Sequence, residues 1–400
     1  MRRGILTGGT WCVDRNIMVD VWPQENGRAD ILDADQSGGG SGFNLAIDVR
    51  RLDPDMPVGT IAIVGADAYG DFLKGLADEN GVERSHMATT AESDTDYTIA
   101  FASKATGRRT HISYFGTSHL LTPDHFDFAG LDHKVFHLGL PGIHRTMDAP
   151  WQGDANGWVT TLRKARAAGL VTNMELASID QTRQAALVRP CLPHLDLLVV
   201  NDHEIGGIAG VDTVPGGVTD PEACIRAATA ALGMSAAGFV VVHFPHGAVA
   251  VGRDGDVVRK PSVRVPPSEA AGANGAGDAF AAGFLYAYHE GWTLDRMLAL
   301  AHATAAASLR EISTIGAIMP WRDCLALADR WGWRETPAYP ERHPPRPARA
   351  MTDKTPLQAK HPCIRSTRSS PISAPAATSP PTSSSPTPRT ATSASAARPR

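Results

Sequence analysis

Short apolar runs alternate with amphipathic stretches along the first 335 residues of the chain. The runs have the length and apolar character of strands buried on both faces, and the stretches between them carry apolar residues at helical spacing. The predicted strands cover 5–7, 60–64, 134–138, 170–174, 195–200 and 239–243, and the predicted helices include 157–168, 221–232 and 279–288. This alternation predicts an α/β fold with a mainly parallel sheet.

Two segments depart from the alternation, because each has two strand-like runs with no helix between them. The runs are 16–22 with 29–35 and 96–103 with 108–115, and a Thr-Gly turn in the second pair favours a hairpin. We expect these segments, within 14–35 and 95–116, to form a small β-sheet lid over the functional site. The exposed edges of such a lid could pair with a second copy, which makes a homodimer possible.

The composition changes near Glu335. Beyond this residue the chain consists largely of Pro, Ser, Thr, Ala and Arg, and Asp353 is the last acidic residue. Such a segment cannot bury enough apolar surface to offset the entropy lost on ordering. We therefore expect one folded domain over 1–335 and a disordered, basic tail over 336–400.

The overall composition narrows the class of protein. The chain has 400 residues, 42% of them hydrophobic, and a formal net charge of −4, which is typical of a soluble globular protein and requires no nucleic acid partner. No apolar run approaches the roughly 18 residues of a membrane span, so we expect a cytoplasmic protein without a membrane partner. The five cysteines lack C-x-x-C spacing, which argues against a zinc site or a disulfide framework.

The segment Gly272-Ala-Asn-Gly-Ala-Gly-Asp-Ala-Phe280 directly precedes a predicted helix. Gly275, Ala276 and Gly277 would leave backbone N–H groups unpaired at the positive end of the helix dipole, where anions such as phosphate bind. Because Asp278 would repel a phosphate, it suggests a carboxylate that meets a hydroxyl group and accepts its proton, as a small-molecule kinase requires. A structural interpretation also fits, in which Asp278 only complements the helix dipole after a glycine turn.

Five motifs in consistent order resemble the ribokinase-like (PfkB) carbohydrate kinase family over nearly all of residues 4–320. The motifs are Gly8–Asp14, Gly39–Ala46, Gly65–Asp71, Asn201–Glu204 and Gly275–Asp278. The resemblance implies a ribokinase-like three-layer α/β sandwich with a small β-sheet lid. It also implies an ATP-dependent, Mg²⁺-requiring kinase that phosphorylates a primary hydroxyl of a small-molecule sugar, sugar derivative or nucleoside.

The same resemblance implies a role for each matched residue. Asp278 would be the catalytic base, and the backbone of Gly275, Ala276 and Gly277 would form the anion hole. The acceptor would be bound by Asp14, Gly39, Gly40 and Asn44, and the nucleotide by Asn201, Val242, His243, Gly247, Asn274 and His302. Asn201 and Glu204 would hold Mg²⁺ largely through water, since this ion gives up its hydration shell reluctantly.

The chain differs from the family pattern in three places. Gly272 and Ala273 replace the usual Asp-Thr, and the missing oxygen ligand makes activation by a monovalent cation doubtful. The nucleotide loop usually reads T-x-G-x-x-G but is Val242-His-Phe-Pro-His-Gly247 here, and Gly139 stands where ribokinases place a glutamate, which argues against ribose. These differences leave a second hypothesis open, namely a catalytically weakened regulatory protein that binds a sugar or a nucleotide.

Several polar residues keep more than one interpretation. His243 and His246 either line the nucleotide or form a metal pair. His302 either faces the adenine or packs inside its helix. Asn173 and Glu175 end a predicted strand near the site, where they would touch the nucleotide or Mg²⁺.

Overall fold

The structure is a computed structural model that describes residues 2–106, 108–272, 274–311 and 315–335, apart from the side chain of Arg109. The predicted tail over 336–400 lies outside the described residues, as does Ala273 of the glycine-rich segment. Within the described ranges, no helix combines the length and the apolar character needed to cross a lipid bilayer.

Strands and helices alternate through most of the described chain. The strands are β1 Ile5–Gly9, β2 Cys12–Val19, β3 Ile31–Gly39, β4 Val58–Gly65, β5 Glu83–Thr90, β6 Tyr97–Ser103, β7 Arg109–Tyr114, β8 Val135–Gly139, β9 Val171–Met174, β10 Leu197–Asn201, β11 Phe239–Phe244, β12 Gly247–Gly252 and β13 Val257–Pro261. The helices are α1 Ser41–Leu52, α2 Ala68–Glu79, α3 Arg145–Asp148, α4 Gly157–Ala167, α5 Gln181–Val188, α6 Asp202–Ala209, α7 Pro221–Met234, α8 Ala276–His289, α9 Leu294–Ser308 and α10 Trp321–Trp331.

Five parallel strands form the central sheet, in the order β5-β4-β1-β8-β9. A second sheet, β10-β11-β12-β13, continues beside β9, where the Asp196 N–H donates to the Thr172 carbonyl at 3.0 Å. All six predicted strands are present, and the predicted α/β class is confirmed. The sequence pattern missed β5, because its exposed residues interrupt the apolar run, and it missed the antiparallel hairpin of β12 and β13.

Helices cover the sheets on both faces, because neighbouring strand residues point to opposite sides. Ile5 belongs to the apolar cluster under α1, α8 and α9, whereas Leu6 belongs to the cluster under α4 and α7. Val241 and Val242 divide in the same way between the two clusters. The structure therefore has the three layers of the predicted sandwich.

A separate four-stranded sheet forms the lid, in the order β3-β2-β6-β7. Both predicted hairpins are present, and β2 pairs in parallel with β6, which joins the hairpins into one sheet. The lid strands extend beyond the predicted bounds, because β2 begins at Cys12 and β3 continues to Gly39. The lid therefore reaches directly into the first glycine motif.

The Gly65–Asp71 motif connects the lid to the central sheet. Asp67 caps α2 by accepting a hydrogen bond from the Gly70 N–H at 2.7 Å. Its carboxylate also accepts hydrogen bonds from the backbone N–H and the hydroxyl of Thr95, just before β6. Burial alone would raise the pKa of Asp67, but these hydrogen bonds outweigh it and lower that pKa. In this structure the motif has an anchoring role.

Candidate active site

Helix α8 begins without a side-chain cap. Its N-cap residue Gly275 has φ 73° and ψ 2°, a left-handed conformation that favours glycine. The helix starts at Ala276, three residues before the predicted start, so Asp278 lies in its first turn. The first N–H groups of α8 therefore lack a capping side chain and lie beside a carboxyl group.

Three cavities meet at this helix end. The lid cavity, about 310 Å³, is lined by Asp14, Gly40, Asn44, Asn274, Gly275 and Asp278 together with the lid residues Tyr97 and Tyr114. The central cavity, about 290 Å³, is lined by Glu175, Asn201, Glu204, Gly277 and Asp278. The outer cavity, about 440 Å³, is lined by Asn201, His243, Ala276, Gly277, Phe280 and His302. A group of atoms passing from the outer cavity to the lid cavity would cross the central one, beside Asp278.

Asp278 interacts with both an amide and a second carboxyl group. Its Oδ2 accepts a hydrogen bond from the Asn44 Nδ2 at 2.6 Å, and the Glu175 carboxyl lines the same central cavity, where its charge acts on Asp278. Loss of hydration raises the pKa of Asp278 well above its usual range, and the neighbouring Glu175 charge raises it further. The hydrogen bond from Asn44 acts in the opposite direction.

Asp14 faces the lid cavity, and two glycines make room around it. A Cβ at Gly39 would collide with the Asp14 carboxylate, which explains this glycine although Gly39 itself does not line the cavity. Gly40 has φ 92°, and a Cβ there would lie 2.6 Å from the Thr10 carbonyl. Desolvation raises the pKa of Asp14 to about 6, although a weak hydrogen bond from Cys12 lowers it.

Asn201 and Glu204 form a reciprocal cap at the start of α6. The Asn201 side chain accepts from the Glu204 N–H at 2.9 Å, and Glu204 Oε2 accepts from the Asn201 N–H at 2.8 Å. Desolvation raises the pKa of Glu204 to about 7. In the described part of the chain, no group of three or more His, Cys, Asp and Glu side chains is arranged to hold a metal ion. Glu204 supplies only one carboxylate ligand. This arrangement fits Mg²⁺ only if phosphates and water complete the coordination of the ion.

The predicted nucleotide loop is a tight turn between β11 and β12. Phe244 pairs with Gly247 across a two-residue turn, and only His243, Phe244 and Pro245 of the segment line the outer cavity. Val242 does not line this cavity, because its side chain is fully buried in the core on the opposite face of the sheet. Gly247 does not line it either, because it begins β12 opposite the Lys260 carbonyl.

Two histidines flank Phe280 in the outer cavity. The ring centroid of His243 lies 4.8 Å from that of Phe280, and the His302 ring lies 5.0 Å away on an edge contact. Burial lowers the pKa of His243 to about 4 and that of His302 to about 3, so both rings are neutral at pH 7. His302 Nε2 is buried with no hydrogen-bond partner among the described residues. His243 lines this cavity, whereas His246 does not.

A hydrogen-bonded chain of three polar side chains ends at Glu175, and the sequence pattern did not indicate it. Asn173 Nδ2 donates to His137 Nδ1 at 2.9 Å, and His137 Nε2 lies 2.8 Å from Glu175 Oε2. The sequence pattern predicts that Asn173 and Glu175 end a strand near the site, whereas it places His137 inside a strand and assigns it no role. The available signal was a polar residue at positions that the pattern assigns to the interior, where unpaired polar groups are rare.

Asp48 was also missed. It lies one helical turn after Asn44 in α1, is fully buried, and neither of its carboxyl oxygens has a hydrogen-bond partner among the described residues. Burial raises its pKa well above the usual range, the charge of Asp278 raises it further, and Arg51 opposes both. Carboxyl groups therefore accumulate around Asp278 on several elements.

Asp48→Asn should stabilise the fold by about 1–3 kcal/mol at pH 7, because it removes the free-energy cost of protonating a carboxyl group that is buried without a hydrogen-bond partner. The folded state raises the pKa of Asp48 and so keeps a proton that the unfolded chain loses above about pH 4. The free energy of unfolding of the wild type should therefore fall as the pH rises above this value. The free energy of unfolding of the variant should fall less steeply. Urea titrations at several pH values measure this, with the exposed Asp329→Asn as the control. A destabilised Asp48→Asn would contradict the prediction.

Comparisons with known proteins give the family and the fold. The model of the pfkB family carbohydrate kinases matches residues 12–322, which is more than half of the chain. No curated protein matches the chain.

Several solved structures have the same fold. Ribokinase from Arabidopsis thaliana, complexed with ribose and ATP, has a TM-score of 0.68 at 18% identity. Fructokinase from Xylella fastidiosa with bound ATP has a TM-score of 0.64 at 22% identity, and a nucleoside kinase from Methanocaldococcus jannaschii has 0.63 at 16%. Each match covers 82% of this chain and 99% of the other.

At these identities the solved structures show the fold, which is the ribokinase-like sandwich with a lid that the sequence predicts. The family model adds the class of reaction, because it spans both glycine motifs and Asn201–Glu204. The chain belongs to the pfkB family of carbohydrate kinases and is a phosphotransferase with an alcohol group as acceptor.

Proposed function

We propose that the protein is an ATP-dependent kinase that phosphorylates a primary hydroxyl of a sugar, sugar derivative or nucleoside. Asp278 is the base, and the backbone of Gly275–Gly277 is the anion hole. The observation that carries this proposal is the meeting of the three cavities at the uncapped start of α8, beside the Asp278 carboxyl. Neither an anion site nor a carboxylate alone would require this arrangement.

The acceptor occupies the lid cavity. Asp14 and Asn44 bind its hydroxyl groups, and Asp278 accepts the proton of the attacking hydroxyl. The transition state of phosphoryl transfer is loose, so the protein contributes mainly by positioning and by stabilising charge. The N–H groups at the start of α8 stabilise the charge on the transferred phosphoryl group in the central cavity.

The nucleotide occupies the outer cavity, with its base beside Phe280, His243 and His302. The A. thaliana ribokinase and the X. fastidiosa fructokinase both have bound ATP, which supports ATP as the phosphoryl donor of this chain. Both histidines are neutral, so they pack against the nucleobase and form hydrogen bonds with it, and they supply no positive charge. Asn274 lies at the other end of the site, where it lines the lid cavity.

Asn201 and Glu204 face the central cavity and would hold Mg²⁺ through water. When bound, this ion would neutralise charge on the phosphates of the nucleotide. Gly272 lacks a side-chain oxygen, which supports the expectation that activation by a monovalent cation is doubtful.

The charge of the lid cavity limits the class of acceptor. Asp14, Asp96 and Asp278 line it, and no Lys or Arg does so among the described side chains. The Asp96 carboxyl accepts hydrogen bonds from the N–H groups of Gly116 and Ser118 and from the Thr117 hydroxyl. The carboxyl groups of Asp14 and Asp278 face the cavity. A phosphate on the acceptor would meet negative charge without a cation, so the acceptor is unphosphorylated.

Asp278→Asn should lower kcat by about 10²–10⁴-fold while acceptor binding is retained, because the amide cannot take the hydroxyl proton. Steady-state kinetics and acceptor titrations measure the two quantities. Asp71→Asn is a matched control, since Asp71 lies in the first turn of α2 with its side chain 77% exposed. Near-normal turnover in Asp278→Asn would contradict the assignment of the base.

With ATP and Mg²⁺, ADP release should occur with some sugars or nucleosides and not with their phosphate esters, because the lid cavity is acidic. A panel of matched pairs, each acceptor tested beside its phosphate ester, measures this. Faster turnover with the phosphate esters would contradict the acceptor class. Binding without turnover for every acceptor would favour the regulatory protein.

A second copy of the chain is proposed to cover the lid edges. Ile31 and Leu32 on edge strand β3 and Ile112 on edge strand β7 are exposed, which supports such pairing. Sedimentation should show a dimer, and Ile31→Asp should weaken it, whereas Val218→Asp, which changes an exposed residue outside the lid, should not. A monomeric wild type would contradict this proposal. Cytoplasmic location and the lack of a nucleic acid or membrane partner stay predictions.

A further inference from the structure

Part of the wall of the outer cavity lies beyond the match to the family model. That match ends at residue 322, whereas Arg334 lines the cavity. The wall segment follows helix α10, which ends at Gly332 with φ 79°, a backbone conformation that favours glycine. The family model therefore assigns no role to this segment, although it borders the proposed nucleotide site.

Backbone pairing fixes the wall segment in place. Trp333 and Val263 form an antiparallel β-bridge, and the Arg334 N–H donates to the Ser262 carbonyl at 2.8 Å. Val263 is buried, and both Val263 and Ser262 line the outer cavity together with Arg334. The backbone of Arg334 is therefore held at the cavity by contacts that do not depend on its side chain.

Ser262 also contacts the turn that stands in place of the usual nucleotide loop. Its hydroxyl donates to the Pro245 carbonyl at 2.9 Å, and its N–H donates to the His246 carbonyl at 3.0 Å. Phe244 and Pro245 of this turn line the outer cavity, as Arg334 does. Ser262 therefore links the altered turn to the segment that carries Arg334.

The charge of Arg334 is available to a ligand in the outer cavity. Among the described residues, Arg334 is the only Lys or Arg that lines this cavity. It is exposed, and its guanidinium forms no hydrogen bond or ion pair with another described residue. His243 and His302 are neutral, and Asp202 adds a carboxyl group to the lining. A polyanion in the outer cavity would therefore meet one side chain that is always positively charged.

We propose that Arg334 binds the phosphates of the nucleotide that are not transferred. This inference rests on the proposed kinase function, which places the transferred group at the start of α8 and leaves the other phosphates in the outer cavity. The forked donors of a guanidinium match the oxygens of a phosphate. Val242 and Phe244 stand where the usual loop has a threonine and a glycine, so a side chain from outside the loop supplies a contact to the phosphates.

Arg334→Ala should weaken ATP binding by about 3- to 10-fold at low salt, because a charge-assisted contact at the cavity wall is lost. The loss should disappear at about 1 M salt, where charges are screened within about 3 Å. Calorimetric titrations with ATP in EDTA measure both, without a divalent ion. Arg330→Ala, which changes an exposed arginine of α10 that does not line the cavity, is the control. No loss at low salt would overturn the proposal, and so would a loss that persists at high salt, which would indicate a contact with the base or the ribose.

Kinetics and a conservative substitution extend this test. Arg334→Lys should recover part of the lost ATP affinity, because it keeps the charge without the planar fork. Arg334→Ala should raise KM for ATP and leave kcat and the KM of the acceptor nearly unchanged, because the contact is equally strong before and during transfer. A fall in kcat without a change in the KM for ATP would overturn the proposal. If the wild type bound ATP but phosphorylated no acceptor, the kinase proposal would fail, and the titrations would still decide the role of Arg334.

Discussion

The site depends on one conflict of charge within the first turn of α8. The uncapped N–H groups after Gly275 attract an anion, and Asp278 in the same turn repels it. Both features are useful together only if the carboxyl faces a different ligand from the one that the N–H groups bind. The separate lid and central cavities on either side of Asp278 meet this condition.

The rest of the structure keeps the lid cavity and the central cavity separate. The lid closes over one cavity and is fixed at its base by Asp67 and Thr95. Asn44 approaches Asp278 from α1, while Glu175 approaches from β9 with His137 behind it. These elements come from distant parts of the chain, and their packing on a common sheet brings the groups together.

The fold was largely predictable from the sequence, because buried parallel strands leave continuous apolar runs and the lid hairpins leave turn signals. The glycine motifs indicated the helix end and Asp278. The meeting of Glu175 and Asp278 in the central cavity was not predictable, since these residues lie far apart in the chain and the space beside Glu175 depends on Gly139. The position of Val242 was also missed, because a single pattern does not tell which face of β11 meets the cavity.

A crystal structure with an acceptor and a non-hydrolysable ATP analogue tests the central claim most directly. The account predicts an acceptor hydroxyl within hydrogen-bond distance of the Asp278 carboxyl on one side. It predicts the γ-phosphate of the analogue at the N–H groups of Ala276 and Gly277 on the other side. A γ-phosphate bound away from the start of α8, or an acceptor with no hydroxyl near Asp278, would contradict the account.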